Sequence, residues 1–450
     1  MEIKQFEDKG LSHYAYAILS NGEIALIDPA RNPQPYYDFA DQHHAKITVV
    51  IETHPHADFV SSHLEISKTT GATIYVSKLL GAEYPHQTFD EGDTIQVGNI
   101  TLKALNTPGH SPDSICIVAL DANGKEEAVF TGDTLFIGDC GRPDLRESAG
   151  AITAAREELA KNMYHSLRDK LIDLPNDVKV LPAHGAGSLC GRGMSNQNTS
   201  TMGAEKISNW SLQEMTETEF IEALLEGQPF VPKYFGFNVA LNKKGADNFK
   251  ESISAVKKHE TIMDERTALS LDTTIPIIDT RPDSQFKKAF LKNAINLMKG
   301  GKFETWLGSI INPGEIFYLA AENENDLDDL IARTAKIGYE KQIQMAFVLA
   351  YGNNEMPFFD DALLKKDSHD FTIVDVRNAT EIKAGKIFEH AIGIPLPELR
   401  DRVNEIPLGK PIVVHCAAGY RSAAGSSIIK AALDGDSQVF DLGEAIKKFQ

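Results

Sequence analysis

Histidine and aspartate, two side-chain types that commonly bind metal ions in enzymes, recur in four short segments of this 450-residue chain. Residues 53–59 read Thr-His-Pro-His-Ala-Asp-Phe, which places His54, His56 and Asp58 at alternate positions. Each of three later segments adds one such residue: His110 in a Pro-Gly turn, Asp133 after an apolar stretch, and His184 after Pro-Ala. Imidazole nitrogens and carboxylate oxygens in this number could hold a metal ion.

These segments follow stretches that read as strands, and the ends of strands in a rigid sheet are good places to position ligands. The apolar and alternating patterns predict strands at 13–19, 24–28, 47–51, 73–76, 94–97, 100–105, 114–120, 128–131 and 178–181. Helical patterns lie at 35–44, 59–70 and 148–168. A capping box of Thr216 and Glu219 predicts another helix that ends at Gly227. Together these elements predict an α/β fold, an αββα sandwich.

In their order, the four segments resemble the metallo-β-lactamase superfamily across about residues 1–240. The superfamily pattern is His-x-His-x-Asp-His, and Phe59 stands where its last histidine would be. That histidine normally helps to hold a second metal, and a phenyl ring has no lone pair to donate, so we expect one metal ion. A core-packing role for Phe59 at the start of the 59–70 helix gives the same expectation, and His63, on the same helical face, is expected to be structural.

Residues 138–145, Gly-Asp-Cys-Gly-Arg-Pro-Asp-Leu, narrow the resemblance to the persulfide dioxygenases, the ethylmalonic encephalopathy protein group. This resemblance implies one Fe(II) per chain in a 2-His-1-carboxylate site that leaves three positions open. The implied iron ligands are His54, His110 and Asp133. The residues left to orient ligands or bound water are His56, Asp58 and His184. In the alternative, His56 also ligates the metal, which would then be zinc.

Two further residues could contact a substrate. Arg142 would hold an anion, or it would be buried in an ion pair with Asp139 or Asp144. Cys190 follows His184 in a Gly-rich loop, where fused dioxygenases carry a similar Ser-x-Cys-Gly segment. Cys190 would therefore meet sulfane sulfur near the metal, or it would be a small residue in a turn.

A second candidate site surrounds Cys416. Residues 413–422 read Val-Val-His-Cys-Ala-Ala-Gly-Tyr-Arg-Ser, so an apolar strand, a short loop and an Ala-rich helix follow one another. Such a loop points backbone N–H groups at the sulfur and stabilises a thiolate or a persulfide, while Arg421 adds a positive charge for a sulfur oxyanion. The Cys-x-x-Gly-x-Arg spacing, with Asp375-Val376-Arg377 upstream, resembles an active rhodanese domain over about 357–450. A phosphatase loop would need arginine at Ser422, and an inert buried Cys416 is the remaining alternative.

Residues 263–450 contain an internal repeat. Ile277 begins a segment that matches the one at Ile373 (373 − 277 = 96), and Ala294 matches Ala391 (391 − 294 = 97). A match of 316–319 to 412–415, again at 96, would put Ala320 and Asn325 in the places of Cys416 and Arg421. We therefore expect two small parallel-sheet domains, of which the first is catalytically inactive and spaces or docks the outer domains.

The expected domains are a metallo-β-lactamase-fold domain at 1–250, an inactive rhodanese-like domain at 262–351 and an active rhodanese domain at 357–450. A Lys-rich, turn-prone stretch around 242–262 is the expected boundary after the first domain.

Composition limits the partners and the compartment. The net charge of −19 and pI near 5.2 disfavour nucleic acid and anionic membranes as partners. The chain lacks an N-terminal apolar stretch and any apolar run long enough to cross a bilayer, and its four cysteines form no Cys-x-x-Cys pair. We therefore expect reduced thiols, a cytoplasmic location and no membrane association, and the family resemblance implies a homo-oligomer.

The expected function is oxidation of a low-molecular-weight thiol persulfide by O₂ to sulfite and thiol, followed by transfer of sulfane sulfur at Cys416 to sulfite, which gives thiosulfate. One alternative is a zinc-dependent thioester hydrolase like glyoxalase II with an appended sulfurtransferase domain. Another is a sulfur carrier or interaction scaffold in which only Cys416 cycles. The identity of the thiol that carries the persulfide is left open.

Overall fold

The computed structural model of the chain describes residues 1–143, 156–433 and 437–450. These residues form two compact units. The first contains Met1–Glu251 with Lys336–Gly338, and the second contains Ser252–Ala335 with Tyr339–Gln450. The first break falls inside the stretch 242–262, part of which is helical where the sequence suggested turns.

Two six-stranded sheets form the framework of the first unit. The strands of the first sheet, in spatial order, are β1 (Glu2–Asp8), β2 (His13–Ser20), β3 (Glu23–Ile27), β4 (Lys46–Ile51), β5 (Thr73–Val76) and β6 (Gln87–Thr88). The first three are antiparallel, and β3 to β6 pair in parallel. Because β4 is central and ends three residues before His54, this sheet fixes the start of the first histidine segment.

The second sheet positions the later segments. Its strands, in chain order, are β7 (Thr94–Val97), β8 (Ile100–Asn106), β9 (Ile115–Leu120) and β10 (Glu126–Gly132), then, after a hairpin of β11 (Leu135–Phe136) and β12 (Asp139–Cys140), β13 (Lys179–Pro182) and β14 (Ser200–Thr201). Strands β10 and β13 are parallel neighbours, with Phe130 opposite Leu181. Asp133 and His184, which follow these strands, therefore emerge at the same edge of the sheet.

Helices cover the outer faces of both sheets. The helices of this part of the chain are α1 (Gln34–Gln42), α2 (His63–Thr70), α3 (Arg156–Ser166), α4 (Met202–Ser208), α5 (Glu217–Leu225), α6 (Phe235–Lys244) and α7 (Phe249–Ser254). The inner faces of the sheets share one apolar core that includes Ile51 and Phe130. The outer faces pack against α1 and α2 on one side and against α3 and α5 on the other. This layering confirms the predicted αββα sandwich.

The helix predicted at 59–70 is wrong in its first four residues, because α2 begins at His63. The backbone before it is held by the side chain of Asn242 from α6: Nδ2 donates to the carbonyls of His56 and Phe59 at 2.8 and 2.7 Å, and Oδ1 accepts from the N–H of Ser61 at 2.9 Å. Phe59 and His63 are therefore not on one helical face.

Two other predicted helices are present over most of their predicted length. The capping box of Thr216 and Glu219 is present at the start of α5. The helix predicted at 148–168 is seen from Arg156, where α3 begins, and a π-helical turn at Leu167–Leu171 continues it. The predicted residues 148–155 lie outside the described part of the chain.

The second unit contains two four-stranded sheets in which all strands are parallel. The strands are β15 (Ile277–Asp279), β16 (Ala294–Asn296), β17 (Phe317–Ala321) and β18 (Ile343–Val348), then β19 (Thr372–Asp375), β20 (Ile392–Gly393), β21 (Ile412–His415) and β22 (Val439–Asp441). The spatial orders, β16-β15-β17-β18 and β20-β19-β21-β22, are the same. This equivalence confirms the predicted parallel sheets in the C-terminal region.

Short helices accompany these sheets: α8 (Glu265–Ala268), α9 (Asp283–Phe286), α10 (Phe303–Ile310), α11 (Glu324–Ala335), α12 (Ala362–Lys366), α13 (Ala379–Ala384), α14 (Leu396–Arg402) and α15 (Tyr420–Leu433). Across the three described ranges, no helix combines the length and the apolar character needed to cross a bilayer.

Strand pairing corrects one detail of the repeat. Asp279 lies opposite Ala320, whereas its counterpart Asp375 lies opposite His415. The third strands of the two sheets are therefore related by 415 − 320 = 95 residues rather than 96. Ala321, not Ala320, occupies the place of Cys416, and the same count replaces Asn325 by Asp326 at the position of Arg421. Ala321 has no thiol and Asp326 carries no positive charge, so the first repeat still lacks both groups.

Candidate metal centre and thiol loop

His54, His110 and Asp133 meet in the first unit. Nε2 of His54 lies 3.8 Å, and Nε2 of His110 lies 3.5 Å, from Oδ2 of Asp133. All three residues are buried, and neither carboxylate oxygen of Asp133 has a hydrogen-bond partner within the described residues. Burial raises the pKa of Asp133 to about 6, although the charge of His184 opposes this. A buried carboxylate in this position needs a cationic partner.

In His54 and His110, the ring nitrogen Nδ1 is hydrogen-bonded to an oxygen atom. Nδ1 of His110 lies 2.9 Å from the carbonyl oxygen of Arg142, and because a carbonyl only accepts, Nδ1 must be the donor. Thr53 donates its hydroxyl proton to Oδ2 of Asp28 at 2.8 Å, so it accepts from Nδ1 of His54 at 3.0 Å. In both rings the lone pair therefore resides on Nε2, the nitrogen nearest Asp133. Two imidazoles and one carboxylate in this state fit a divalent metal.

The three residues expected to orient ligands form a second group beside the first. His56, Asp58 and His184 offer ligand atoms that all lie within 4.8 Å of one another. Nε2 of His184 lies 3.4 Å from Oδ2 of Asp58 and 3.6 Å from Oδ1 of Asp133. The Asp133 carboxylate thus faces both groups. Asp133, His184 and Cys190 form a third group of possible ligand atoms. The structure brings all six residues of the sequence pattern together.

Phe59 packs against this second group. Its ring centroid lies 3.9 Å from that of His13 and 4.3 Å from that of His56. The sequence analysis did not identify His13, because this residue begins β2 and shares no motif with the other histidines. Burial lowers its pKa well below the usual value, and the charges of His184 and His56 lower it further. His13 is therefore a neutral ring beside the site.

Asp28 and Glu52 were also missed, and both contact His56. Nε2 of His56 lies 3.1 Å from Oδ1 of Asp28 and 3.5 Å from Oε2 of Glu52. Burial would lower the pKa of His56, but the two carboxylates outweigh it and raise the pKa to about 9. The signal that could have found Asp28 is its place just after β3, which matches the place of Asp133 just after β10.

A close approach of two segments requires glycine at position 132. Gly132 has a φ of +50°, and a Cβ built there would lie 2.6 Å from Oγ1 of Thr53. The turn into Asp133 and the hydroxyl that holds His54 therefore occupy neighbouring space, and a side chain at position 132 would separate them.

Arg142 and Cys190 belong to one braced loop. Arg142 is buried, its guanidinium donates to the carbonyls of Leu189 and Phe230 at 3.3 and 3.4 Å, and its N–H donates to the carbonyl of Cys190 at 2.9 Å. Asp139 accepts from the N–H groups of Arg192 and Gly193 at 2.9 and 2.7 Å. Asp144, the other carboxylate considered for Arg142, lies outside the described residues. These contacts hold the Cys190 thiol beside Asp133, and burial raises the pKa of that thiol well above its usual value.

The Cys416 thiol lies in the second unit directly after β21. It is buried, and its Sγ accepts a hydrogen bond of 3.1 Å from the N–H of Gly419. Gly419 has a φ of +102°, a conformation that favours glycine, and α15 begins at the next residue. A strand, a tight loop and a helix start thus surround the sulfur, and the N–H of Gly419 points at it.

Arg421 is already engaged by a carboxylate. Its Nη2 donates to Oε1 of Glu381 at 2.8 Å, Nη1 donates to Oε2, and the guanidinium carbon lies 5.9 Å from the ring centroid of Trp306. Sequence reasoning missed Glu381. The signal available was its place four residues after Arg377, in the segment that follows the repeated Asp-x-Arg.

Comparison with known proteins assigns two parts of the chain to families. The metallo-beta-lactamase superfamily matches residues 8–184, and the rhodanese-like domain family matches residues 359–450. A crystal structure of a metallo-beta-lactamase from Staphylococcus aureus subsp. aureus COL is 31% identical, with a TM-score of 0.68 over 77% of this chain and 98% of that one. The chain belongs to the metallo-β-lactamase superfamily and carries a C-terminal rhodanese-like domain.

Two curated relatives have the same sequence identity to this chain, 32%. The mitochondrial persulfide dioxygenase ETHE1 of Homo sapiens is 32% identical over 164 residues, 36% of this chain and 59% of the human protein. The cytoplasmic hydroxyacylglutathione hydrolase of Arabidopsis thaliana is 32% identical over 176 residues, 38% of this chain and 63% of the plant protein. The chain therefore spans 59% and 63% of these relatives. Homology to persulfide dioxygenases, together with the rhodanese-like domain, confirms the resemblance to a dioxygenase–rhodanese fusion.

Proposed function

We propose that the chain oxidises a low-molecular-weight thiol persulfide with O₂ at a single Fe(II) held by His54, His110 and Asp133. The observation that carries this proposal is the hydrogen bonding of the two histidines. Both Nδ1 atoms are committed to oxygen partners, so both Nε2 lone pairs face the Asp133 carboxylate. Phe59 supports a single metal, because it occupies the place of a further ligand.

An iron ion bound here would supply open coordination positions and the redox chemistry that couples O₂ to sulfur oxidation. The protein contributes the rest. Thr53 and the Arg142 carbonyl keep the ligand rings in one tautomer, and the burial of the three ligands restricts bulk water. In the balanced reaction, a persulfide RSSH, O₂ and one water give the thiol RSH and sulfurous acid, which ionises to sulfite.

The second half of the proposed function is sulfur transfer at Cys416. The Cys416 thiolate attacks the terminal sulfur of a persulfide, the donor S–S bond breaks, and its electron pair leaves with the donor thiolate. The sulfur of sulfite then attacks the terminal sulfur of the Cys416 persulfide, which breaks the new S–S bond and releases thiosulfate. The N–H of Gly419 would stabilise the negative sulfur in both steps.

Placing both activities on one chain would raise the effective concentration of sulfite for the second reaction. The tether matters because sulfite is both the product of the first reaction and the acceptor of the second.

A second candidate is a zinc-dependent thioester hydrolase with an appended sulfurtransferase domain. The His56, Asp58 and His184 group favours it, since it could hold a second ion, and so does the equal identity to the plant hydrolase. Zinc would supply Lewis-acid activation for hydrolysis. The ring of Phe59 counts against it, because it cannot ligate.

The deciding experiment is metal analysis of protein purified without oxygen, followed by O₂ uptake on a panel of glutathione, coenzyme A and bacillithiol persulfides. We expect about one iron per chain and persulfide-dependent O₂ uptake, with one thiol preferred. Protein stripped with a chelator and reloaded with zinc is the matched control and should take up no O₂. Two zinc ions per chain with thioesterase activity would establish the hydrolase instead.

A further inference from the structure

The Cys416 site contains a charge pair that the proposed sulfur transfer does not require. Both nitrogens of the Arg421 guanidinium end bind the two carboxylate oxygens of Glu381. Burial would raise the pKa of Glu381, but the hydrogen bonds and the charge of Arg421 outweigh it and lower the pKa, so the carboxylate is ionised. The Arg421 side chain is 14% exposed and that of Glu381 is 35% exposed. The cation next to the sulfur is thus neutralised before any substrate binds.

The repeat without a thiol shows which ion pair the fold itself uses. In that repeat, Nη2 of Arg281 donates to Oδ2 of Asp279 at 2.6 Å, and in the active repeat Nη2 of Arg377 donates to Oδ2 of Asp375 at 2.7 Å. Each arginine also donates to one carbonyl eight residues further along the chain, at 2.8 and 2.9 Å. Because both copies keep this pair, it belongs to the architecture of the sheet.

The pair of Glu381 and Arg421, unlike the pair of Asp375 and Arg377, has no counterpart among the described residues of the other repeat. The residue that corresponds to Glu381 in the other copy is Gln285 (381 − 285 = 96), and it donates to Oε1 of Glu322 at 2.6 Å. The five residues after β17, Glu-Asn-Glu-Asn-Asp, contain no cation. The carboxylate at position 381 therefore occurs in the copy that has the thiol and the arginine, and is replaced by an amide in the copy that lacks them. This comparison connects the charge of Glu381 with the copy that has the thiol and the arginine, where the same side chain also closes the capping box of α13.

A neutralised arginine affects anions according to their charge. An anion that approaches Cys416 is attracted by Arg421 and repelled by Glu381, and both energies scale with the charge that the anion carries. Thiosulfate carries two negative charges, whereas an ionised thiol persulfide carries one at its sulfur end. The carboxylate therefore cancels more attraction for thiosulfate than for the persulfide.

We propose that Glu381 is a specificity-determining residue of the Cys416 site, which weakens the binding of dianionic sulfur compounds relative to singly charged thiol persulfides. This inference rests on the proposed sulfur transfer at Cys416. Its consequence is that thiosulfate leaves readily as a product and is a poor sulfur donor, so the site accepts sulfur mainly from persulfides. When thiosulfate does react, Cys416 attacks its outer sulfur, the S–S bond breaks and sulfite leaves with the electron pair.

The test is a single turnover of the full chain without oxygen. Wild type and Glu381→Gln are mixed with increasing thiosulfate or glutathione persulfide, and persulfide on the Cys416 peptide is followed by mass spectrometry. Glutamine removes the charge and still serves the capping box, in which the N–H of Asn378 donates to Glu381 at 3.0 Å. We expect the half-saturating thiosulfate concentration to fall about three- to tenfold with an unchanged limiting rate, because one negative charge within several ångströms is lost. Because the persulfide carries one charge at its sulfur end and thiosulfate carries two, the value for the persulfide should fall by only about the square root of that factor, roughly 1.7- to 3-fold.

Two further variants guard against a structural effect. Glu405→Gln removes a carboxylate from the exposed pair with Arg402. It should leave the half-saturating concentrations of thiosulfate and of glutathione persulfide unchanged. In an Arg421→Gln background, adding Glu381→Gln should still lower the thiosulfate value, and comparing the two backgrounds shows how far the two charges act as a pair. If Glu381→Gln does not fold, Arg421→Gln alone must raise the thiosulfate value more than the persulfide value. An unchanged ratio of the two values overturns the role of Glu381, whereas a wild type that forms no Cys416 persulfide with either donor overturns the sulfur transfer itself.

Discussion

The metal centre and the thiol loop are built in opposite ways. The candidate ligands His54, His110 and Asp133 come from segments that follow β4, β8 and β10, so they meet only because strands of both sheets end at the same site. The thiol loop is one continuous stretch from Cys416 to Arg421 after a single strand. The metal centre therefore depends on the whole sandwich, whereas the thiol loop depends mainly on its own backbone.

The strongest test of this contrast is a reciprocal pair of variants. His110→Ala removes a proposed ligand, so bound iron and persulfide-dependent O₂ uptake should fall by more than about a hundredfold, beyond what the loss of an outer hydrogen bond to a ligand causes. Cys416 should still accept sulfur in this variant. Cys416→Ser should keep O₂ uptake and let sulfite accumulate. Metal analysis, an oxygen electrode and sulfite assays measure these outcomes.

His165→Ala is a suitable control, since His165 is exposed on α3 and binds Asp169 and Glu217. Unchanged thiosulfate output from Cys416→Ser would contradict the coupling of the two reactions.

The next prediction tests how far the centre depends on packing between segments. Gly132→Ala would place a Cβ 2.6 Å from Oγ1 of Thr53 and would strain a left-handed residue. We expect the free energy of unfolding to fall by about 2–5 kcal/mol and iron binding to weaken with it. Urea unfolding of the metal-free protein measures the first effect.

Gly124→Ala provides the matched control, because its φ is +81° and a Cβ there meets nothing within 4 Å. It should lose only the conformational term of about 1–2 kcal/mol. Equal losses in the two variants would show that the approach of Gly132 to Thr53 does not matter.

A smaller effect should follow from Thr53→Val, which keeps the shape of the side chain and removes the hydroxyl between Asp28 and His54. Iron affinity should fall about 10- to 100-fold, because the ring of His54 loses the partner that fixes its tautomer. Competition with a chelator of known affinity measures this loss. Thr101→Val, on strand β8, removes a hydroxyl far from the centre and should leave the affinity as it is.

The smallest expected effect tests the thiol loop. Adding Ala321→Cys to the Cys416→Ser variant places a thiol at the corresponding position of the other repeat. We expect no recovery of sulfur transfer, because the residues that follow are acidic and bring no arginine. Persulfide on the introduced thiol, sought by mass spectrometry of the peptide that contains position 321, would show that a thiol after the strand is sufficient without the loop.

The sequence predicted the sandwich well, because alternating and apolar stretches record which strand faces are buried. It failed where a distant side chain decides the local backbone. The helix predicted from residue 59 begins at His63, since Asn242 captures the carbonyls and N–H group that an earlier helical turn would use. The one-residue error that named Ala320 instead of Ala321 arose similarly, because strand register depends on pairing and not on similarity along the chain.

The residue types at both sites were determined by the sequence alone. Donor atoms in His54, His110 and Asp133, and a thiol followed by Gly419 and Arg421, are chemical properties of the side chains and of short backbone stretches. Only the tertiary structure decided what those groups face: Asp28 beside His56, Thr53 on the outer nitrogen of His54, and Glu381 on Arg421. The physical reason is that hydrogen bonds and charge pairs between distant segments exist only after packing brings the segments together, and no local pattern records them.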